Sequence, residues 1–363
     1  MLEEARKWLT DALAQLRSNA ENLALLVVAN IKYVTVAEND YVGFSVQNDY
    51  MTEQVIREVI QSLRDFGSYV QLFVGEDAFI KAVLDGTIDQ IDRPHKLVLN
   101  LAQSGTGPAR KSLVPCFSNL HCLPYCNSDG HVVALLRHKY HATSILRDHG
   151  IRVPGTWLFE ECGEWLDGKR PPPGGKVIVK PSYEAACIGL SRESVRVTDE
   201  SLDGFARRMA ATMRQPLTVQ EFVPGYEIDV PVYCVPRAFA PMAVGVSVSG
   251  KRMLGNDFLD YDMLDSRSYA FFPFSEISPV VSEAACKAAE RAAEILGVRG
   301  YGRIDFRVDE SGTAYLIDMQ TMPDIFSQSS VYYSLASTMV NPSEVYPALI
   351  AINCRQLGIF SFQ

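Results

Sequence analysis

Val179-Lys180-Pro181-Ser182-Tyr183-Glu184-Ala185-Ala186-Cys187-Ile188-Gly189 is the stretch from which the fold can be read. It continues the short strand Lys176–Pro181, which carries a lysine at 176 and another at 180. The strand delivers Lys180, a loop of small residues follows, and Gly189 comes after the loop. A polyphosphate needs a cation and backbone N–H donors that can approach closely, and small side chains permit that approach. Taken alone, a surface lysine before a proline satisfies the same letters.

Two segments further along give the stretch its context. Residues 219–227 (Val-Gln-Glu-Phe-Val-Pro-Gly-Tyr-Glu) run from a strand into a Pro-Gly turn, with Glu227 two residues past the glycine. Such a strand end offers backbone groups to a purine edge, and Glu227 can accept both ribose hydroxyls; the plain alternative is a turn with a solvated acid. Residues 302–306 (Gly-Arg-Ile-Asp-Phe) and 316–320 (Leu-Ile-Asp-Met-Gln) alternate as strands around the turn Asp309-Glu310-Ser311-Gly312. Alternation puts Arg303 with Asp305 on one face and Asp318 with Gln320 on one face. Two carboxylates and an amide oxygen brought together are hard ligands suited to Mg²⁺ on phosphates. Acids at alternate strand positions are otherwise commonly solvated.

The rest of the chain reads as an α/β protein. Residues 2–16 form one apolar helical stripe that docks onto the body of the protein or serves as a dimer arm. A buried strand over 22–29, a helix over 51–66 stopped by Gly67, and strands over 69–74 and 96–100 make an α/β unit with a parallel sheet. It carries no G-x-G-x-x-G, so nothing supports dinucleotide binding. A helix over 132–149 ends at Gly150, and residues 167–175 (D-G-K-R-P-P-P-G-G) are a loop. Strands follow over 218–222, 228–234 and 243–247, then a helix over 278–296 opened by Ser-Pro and closed by Gly297. The expected domains are an N-terminal helix (1–20), an α/β domain (21–131), a central unit (132–215) and a C-terminal unit (216–363) holding the metal site.

Composition bounds the function. The chain has 363 residues, 47% hydrophobic and 21% charged, enough apolar material for about two or three domains. A net charge of −9 disfavours broad nucleic-acid or membrane-surface binding, though not a local basic pocket. The longest apolar run, 23–30, is too short to span a bilayer, and the acids at Glu3 and Glu4 argue against an export signal. A cytoplasmic location is the expectation. The eight cysteines then argue against a disulfide scaffold, and the trio Cys116, Cys122 and Cys126 reads as buried thiols. Cys116, Cys122 and Cys126 stand near His121, but no C-x-x-C pair makes a zinc site of them. His138 and His141 flank Lys139 and suggest no triad.

In this order and spacing the segments resemble the ATP-grasp superfamily, specifically its D-alanine–D-alanine ligase-like branch, over roughly residues 95–360. The likeness includes N-L-A-Q-S-G-T-G-P-A-R near residue 100, P-Y-C-N-S-D at 124–129 and L-L-R-H-K-Y ending at Tyr140. Residues before these match only in their α/β pattern. The resemblance implies an ATP-grasp fold behind an N-terminal Rossmann-like (pre-ATP-grasp) α/β domain. It places Lys139 and Lys180 on the ATP phosphates and the backbone around Ala186 and Cys187 over them. Glu184 and Ile317 join the nucleotide site. Gln220 stands where an acid usually faces the adenine amino group, Glu221 and Val223 present backbone groups to the base, and Glu227 holds the ribose. Asp305, Asp318 and Gln320 match the Mg²⁺ ligands, where Mn²⁺ can substitute. Arg303 matches the arginine that steadies the acyl phosphate and tetrahedral intermediate, and Ser329 a serine near the second substrate's carboxylate.

The chain also departs from the family pattern. The usual glycine-rich, Ser-Glu-bearing first loop is replaced by residues 35–50, with Glu38, Asn39 and Asp40. The N-x-N-x-x-P-G run appears as Met319-Gln320-Thr321-Met322-Pro323-Asp324, so Asp324 replaces a glycine. The mobile loop, about residues 250–269, has Met263-Leu264-Asp265 in place of a Lys-Tyr pair, and Lys111 stands where relatives carry an acid. The nucleotide half is kept and the substrate half rewritten. D-alanine is therefore expected to be a poor substrate, with Asp324 and Asp260, Asp262 or Asp265 holding a basic or amino-bearing one.

The implied reaction is ATP-dependent. A carboxylate takes the γ-phosphoryl group, and an amine displaces phosphate to give an amide, ADP and phosphate. The partners are small-molecule carboxylate and amine substrates, amino acids or amino-acid-like molecules, with no nucleic acid or membrane; a homodimer is the oligomer the N-terminal helix would serve. The alternatives are an ATP-grasp enzyme with a thiol or hydroxyl nucleophile, and a nucleotide-binding relative that has lost turnover.

Overall fold

The computed structural model describes residues 2–36, 41–105, 107–266 and 268–360. Glu38, Asn39 and Asp40 lie outside the described residues, as does the side chain of Asp265.

The chain opens with α1 (Leu2–Asn19) and the central strand β1 (Leu23–Ala29), buried at every position. An uninterrupted apolar strand is what a parallel sheet covered on both faces requires. α2 (Glu53–Asp65) begins where the Thr52 side chain accepts from the Val55 N–H, and leads to β2 (Tyr69–Val74). α3 (Glu76–Leu84), β3 (His95–Leu101) and α4 (Leu113–Leu120) follow. The three strands are parallel in the order β2-β1-β3, the α/β unit expected from the sequence.

The helix expected over 132–149 is two helices, α5 (Gly130–Arg137) and α6 (Lys139–Asp148). His138 between them has extended backbone angles (φ −89°, ψ 91°). The break frees the Lys139 N–H to donate to Ser182 O at 3.2 Å, which ties α6 to the loop after the lysine-bearing strand. No glycine or proline marks it in the sequence, and the apolar period runs straight through.

Two antiparallel sheets follow. The first contains β4 (Thr156–Phe159), β5 (Lys176–Pro181) and β6 (Val195–Val197); α7 (Ser201–Met213) and β7 (Leu217–Glu221) complete it. Its order is β4-β7-β5-β6. Because β7 pairs with both β4 and β5, the change from one sheet to the next falls after Glu221, past residue 216. The second sheet holds β8 (Tyr226–Cys234), β9 (Ala238–Phe239) and β10 (Val244–Val248). After α8 (Tyr261–Asp265) come β11 (Tyr269–Pro273), α9 (Pro279–Leu296), β12 (Tyr301–Val308) and β13 (Ala314–Gln320). Its order is β11-β10-β8-β12-β13, with β9 on β8. α9 is capped by Ser278 and closed by Gly297 in the left-handed region (φ 72°), and its small face, including Ala285, Ala289, Ala292 and Ala293, is buried.

α10 (Ser330–Thr338) and α11 (Val345–Gln356) end the fold. α11 returns to the N-terminal sheet and packs against α1 and α2 in one core with Leu9, Leu16, Leu25 and Leu349. Arg355 donates to Trp8 O at 2.7 Å and Arg17 pairs with Glu344 at 3.1 Å. α1 thus docks onto its own chain. No helix among the described residues is long and apolar enough to cross a membrane. All eight cysteines are free. Cys126 is buried, whereas Cys116 and Cys122 are exposed, which corrects the buried-thiol reading for those two: they lie at the surface of α4 and the turn after it.

Candidate active site

The strand period builds a cavity between the two antiparallel sheets. On β5, Val177 and Val179 face the core under α7, which turns Ile178 and Lys180 to the cavity. On β8 and β12, Ile228, Val230, Ile304, Phe306 and Val308 fill the core under α9, and Glu227, Asp229, Arg303, Asp305 and Arg307 face the cavity. Asp318 and Gln320 of β13 join them. Ile317 also lines it. Strict alternation would turn Ile317 away, but the register shifts after Asp305 so that Ile317 is an extra, bulged residue.

Register sets the polar pairs. Asp229, Asp305 and Asp318 stand side by side across β8, β12 and β13, and Arg303 stands opposite Gln320. Arg303 grips Asp305 with two bonds of 2.7 and 2.8 Å and lies 3.6 Å from Asp229. Lys139 Nζ lies 2.7 Å from Asp318 Oδ2. Burial, with Asp229 adding repulsion against the pull of Arg303, raises the Asp305 carboxyl to about 7. Desolvation works to raise the half-buried Asp318, but Lys139 and Lys180 outweigh that and hold it below its ordinary value. Among the described residues no three His, Cys, Asp or Glu side chains are gathered as a ready metal site. The donor set nonetheless fits a hard divalent cation: oxygen ligands on adjacent strands, with a carboxylate that burial discourages from ionising alone. Asp229, missed in the sequence, belongs to this row; its strand-mate Glu227 two residues earlier was the available signal.

The nucleotide residues named from the sequence meet here too. Lys180 is buried and donates to Gln220 Oε1 at 3.1 Å; burial draws its ammonium down to about 8. Gln220 is thus engaged with a lysine rather than open to a base. Ala186 and Cys187 take left-handed backbone angles (φ 48° and 55°) in the loop beside Lys180, and Cys187 Sγ contacts Leu259 O at 3.2 Å. Val223 O accepts from Arg307 Nε at 3.0 Å, leaving its N–H as the group to face a ligand, and Glu221 lines the same wall. Glu227 pairs with Arg307 Nη1 at 3.1 Å. Arg307 also donates to the carbonyls of Gly225, Gly255 and Asp257, so all its N–H groups hold this hinge. Sequence reading missed Arg307; its place on the face of Arg303 and Asp305 was the signal.

Several residues serve differently from the sequence expectation. Glu184 lines the cavity, yet its carboxylate is taken by Tyr41 (2.8 Å), Gln215 (3.1 Å) and Arg110, so it anchors the loop. Ser329 lines the cavity and caps α10 by accepting from the Tyr332 N–H; Ser330 donates to Asp229 at 2.6 Å. Asp260 is buried as the cap of α8 and Asp262 is exposed, and neither lines the cavity. Asp324 lines the cavity, and its charge acts on Lys111 and Arg303. Its cations come from the chain itself.

Behind the cavity lies a buried ionic cluster. Asp49 Oδ2 lies 3.3 Å from each of Arg110, Lys111 and Arg137. Burial works to raise Asp49, but Lys111, Arg137 and Arg110 outweigh it and hold it at about 2. A carboxylate lowered in the fold stabilises above its unfolded value and loses that contribution as pH falls from about 4 through 2. Asp49→Asn is expected to cost about 3–5 kcal/mol at pH 7, since it strands buried cations. The deficit shrinks toward pH 2. Denaturant titrations giving equal stability for both proteins at pH 7 would show the cluster to be energetically idle.

Comparison with known proteins places this geometry. Residues 173–351 match the family model described as D-ala D-ala ligase C-terminus. The D-alanine–D-alanine ligase of Nitrosospira multiformis is 30% identical over 214 residues, covering 58% of this chain and 64% of that protein. That of Bordetella petrii is 24% identical over 231 residues, covering 63% and 68%. The aligned stretch thus spans about two thirds of these relatives' length. In three dimensions the chain is similar to the D-alanine–D-alanine ligase of Bacillus anthracis solved with ATP, with a TM-score of 0.64 at 15% identity over 93% of this chain and 99% of that one. The VanG D-Ala:D-Ser ligase of Enterococcus faecalis gives a TM-score of 0.64 at 15% identity over 92% and 99%. The fold is therefore that of the D-alanine–D-alanine ligases, an ATP-grasp fold.

Proposed function

On the premise that residues 173–351 are a D-alanine–D-alanine ligase C-terminal domain within an ATP-grasp fold, we propose that the chain is an ATP-dependent carboxylate–amine ligase. It joins amino acids or amino-acid-like molecules and releases ADP and phosphate. The observation that carries this reading is the meeting, at one cavity, of Lys139 and Lys180 with Arg303 and the row Asp305, Asp318 and Gln320. The same reading divides the chain into an N-terminal helix, an α/β domain to residue 131, a central unit to 221 and a C-terminal unit beyond.

Each side chain then has a task. Lys139 and Lys180 neutralise the triphosphate, the loop at 185–187 covers it, and Val223 and Glu227 hold base and ribose, with Arg307 fixing both. Arg303 faces the carboxyl carbon and stabilises the oxyanion that forms as the amine attacks. Asp305, Asp318 and Gln320 would hold Mg²⁺, which neutralises polyphosphate charge and polarises the phosphoryl group. Asp305→Asn and Asp318→Asn should each raise the Mg²⁺ concentration needed for half-maximal rate by ten-fold or more (roughly, for loss of one charged ligand). Gln320→Asn keeps an amide oxygen and should shift it less. Three titration curves that overlay the wild type would remove these strands from the metal site.

The reading is tested with pairs of amino acids, D- and L-alanine included, assayed for ADP release that needs both components. ADP with phosphate is expected. AMP with pyrophosphate, or release that ignores the second component, would overturn it. Brisk D-alanyl-D-alanine formation would set aside the expectation that D-alanine is a poor substrate.

A further inference from the structure

Three carboxylates stand side by side in the cavity, and the chain engages them unequally. Arg303 takes both oxygens of Asp305. Asp318 gives Oδ2 to Lys139 and Oδ1 to the Met319 N–H. Asp229 differs. Its Oδ2 accepts from the Ser330 hydroxyl at 2.6 Å and lies 3.6 Å from Arg303 Nε, whereas its Oδ1 has no hydrogen-bond partner among the described residues. That oxygen is not sealed in the interior, for Asp229 lines the cavity. A carboxylate oxygen so placed accepts a donor brought by a ligand, and an ammonium is the donor that also matches its charge. Its neighbour Arg303 is the group that faces the carboxyl carbon under attack, so an amine held at Asp229 stands where the nucleophile is needed.

Beyond Asp229 the cavity turns apolar. β11 alternates, so Phe272 packs in the core against Gly245 while Tyr269 and Phe271 face the cavity. The rings of Tyr269 and Phe271 have centroids 5.6 Å apart, and Phe271 meets Tyr333 of α10 at 6.1 Å. Val246 stands opposite Phe271 on β10, and Leu264 of α8 adds to the same apolar surface. In the order β11-β10-β8-β12-β13 this wall is at the edge away from β13. The groups assigned to phosphates and base, Lys180, Val223 and Ile317, stand on β5, after β7 and on β13, so the wall lies outside them. Asp229 is opposite Val244, which puts Phe271 two strands over and two residues along. At ordinary strand spacing and rise, about 12 Å separates their backbones. A methyl side chain on an amine held at Asp229 stops short of the rings, and one the size of leucine or phenylalanine reaches them. We propose that the amine substrate carries a large apolar side chain, with Asp229 holding its ammonium and Phe271, Tyr269 and Leu264 taking up the side chain. This deepens the ligase reading by naming the class of its amine, and it rests on that reading for the role of Arg303.

Binding without turnover tests this apart from the ligase reading. The full chain, with and without Mg²⁺ and AMP-PCP, is titrated calorimetrically with glycine, with L- and D-alanine, leucine and phenylalanine, and with 3-phenylpropionate, which lacks the ammonium. Leucine or phenylalanine of one hand should bind at least about 10-fold more tightly than alanine, the gain from burying such a side chain. 3-Phenylpropionate should bind about 10-fold or more weakly than phenylalanine, the size of one charge-assisted contact. Phe271→Ala should bring phenylalanine close to alanine, and Asp229→Asn should bring it close to 3-phenylpropionate. Alanine binding as tightly as the larger amino acids, selectivity surviving in Phe271→Ala, or no amino acid binding would each overturn the proposal. A higher Mg²⁺ requirement for AMP-PCP binding in Asp229→Asn would place Asp229 on the metal and overturn its role here. The wild-type series decides the side-chain preference even if a variant fails to fold. Selectivity without two-component ADP release would strike the ligase reading, and turnover of amino-acid pairs without selectivity would strike this proposal alone.

Discussion

Lys180→Ala is expected to lower kcat/KM for ATP by about 10²–10³-fold while the protein stays folded. The lysine stands at the end of β5 beside the loop at 185–187, and its hydrogen bond goes to the neutral amide of Gln220. Its removal therefore strands no paired carboxylate, and the melting temperature should move by only a few degrees (roughly what ~1 kcal/mol does in a chain of this size). The pH profile supplies a second reading. With its ammonium drawn down to about 8 by burial, Lys180 is charged below that pH and neutral above it. The wild-type kcat/KM for ATP should fall as pH rises through about 8, and the variant should lose that limb. Unchanged ATP kinetics would remove Lys180 from the phosphate site.

Arg303→Met should be the most damaging single change at the site, in stability as well as rate. Arg303 holds Asp305 through two bonds and neutralises Asp229 beside it. Without it two buried carboxylates share one wall uncompensated, at a cost of about 3–5 kcal/mol. Asp305 is already raised in the folded protein, so it favours folding at low pH and loses that contribution as pH rises through about 7. Removing the guanidinium raises it further, so the variant's deficit should widen in alkaline solution. The rate should fall by about 10²–10³-fold with loss of the oxyanion donor. Arg303→Lys keeps the charge and loses the two-pronged grip, so its stability should lie between the two. Chemical denaturation at pH 6 and pH 9 with initial rates measures both. A variant as stable as the wild type at pH 9 would mean that the carboxylates are not held in the way described.

What the sequence revealed of this site follows from the range over which each signal acts. Alternation is local, so the faces of β12 and β13 were legible, and with them Arg303, Asp305, Asp318 and Gln320, while Lys180 was legible from the strand and small-residue loop that follows it. That the first sheet is parallel was legible from its strand–helix–strand spacing; its order β2-β1-β3 was not. The break at His138 was not legible, because it goes with a bond from the Lys139 N–H to Ser182 O, far along the chain. Nor was the cluster around Asp49, whose members come from residues 49, 110, 111, 137 and 184 and meet only through tertiary packing. That Glu184 and Asp260 are engaged by the chain itself was hidden for a shared reason. A carboxylate in a motif looks the same whether it awaits a ligand or is already spent on a tyrosine or a helix cap.

The packing of α11 against α1 governs the order in which this chain can assemble. Leu9 and Leu16 complete their core with Leu349 and Ile350, and Arg6 reaches Thr338 O across 332 positions. A nascent chain therefore exposes the apolar face of α1 until some 330 further residues have emerged from the ribosome. Contacts so distant in sequence carry a large closure entropy before they return any stability, and they slow folding. During that interval the parallel sheet around β1 has only α2 to cover the face that α11 later closes, and α1 waits as an unpaired amphipathic segment. A chain released before α11 would expose that surface to chaperones or to other unfinished chains.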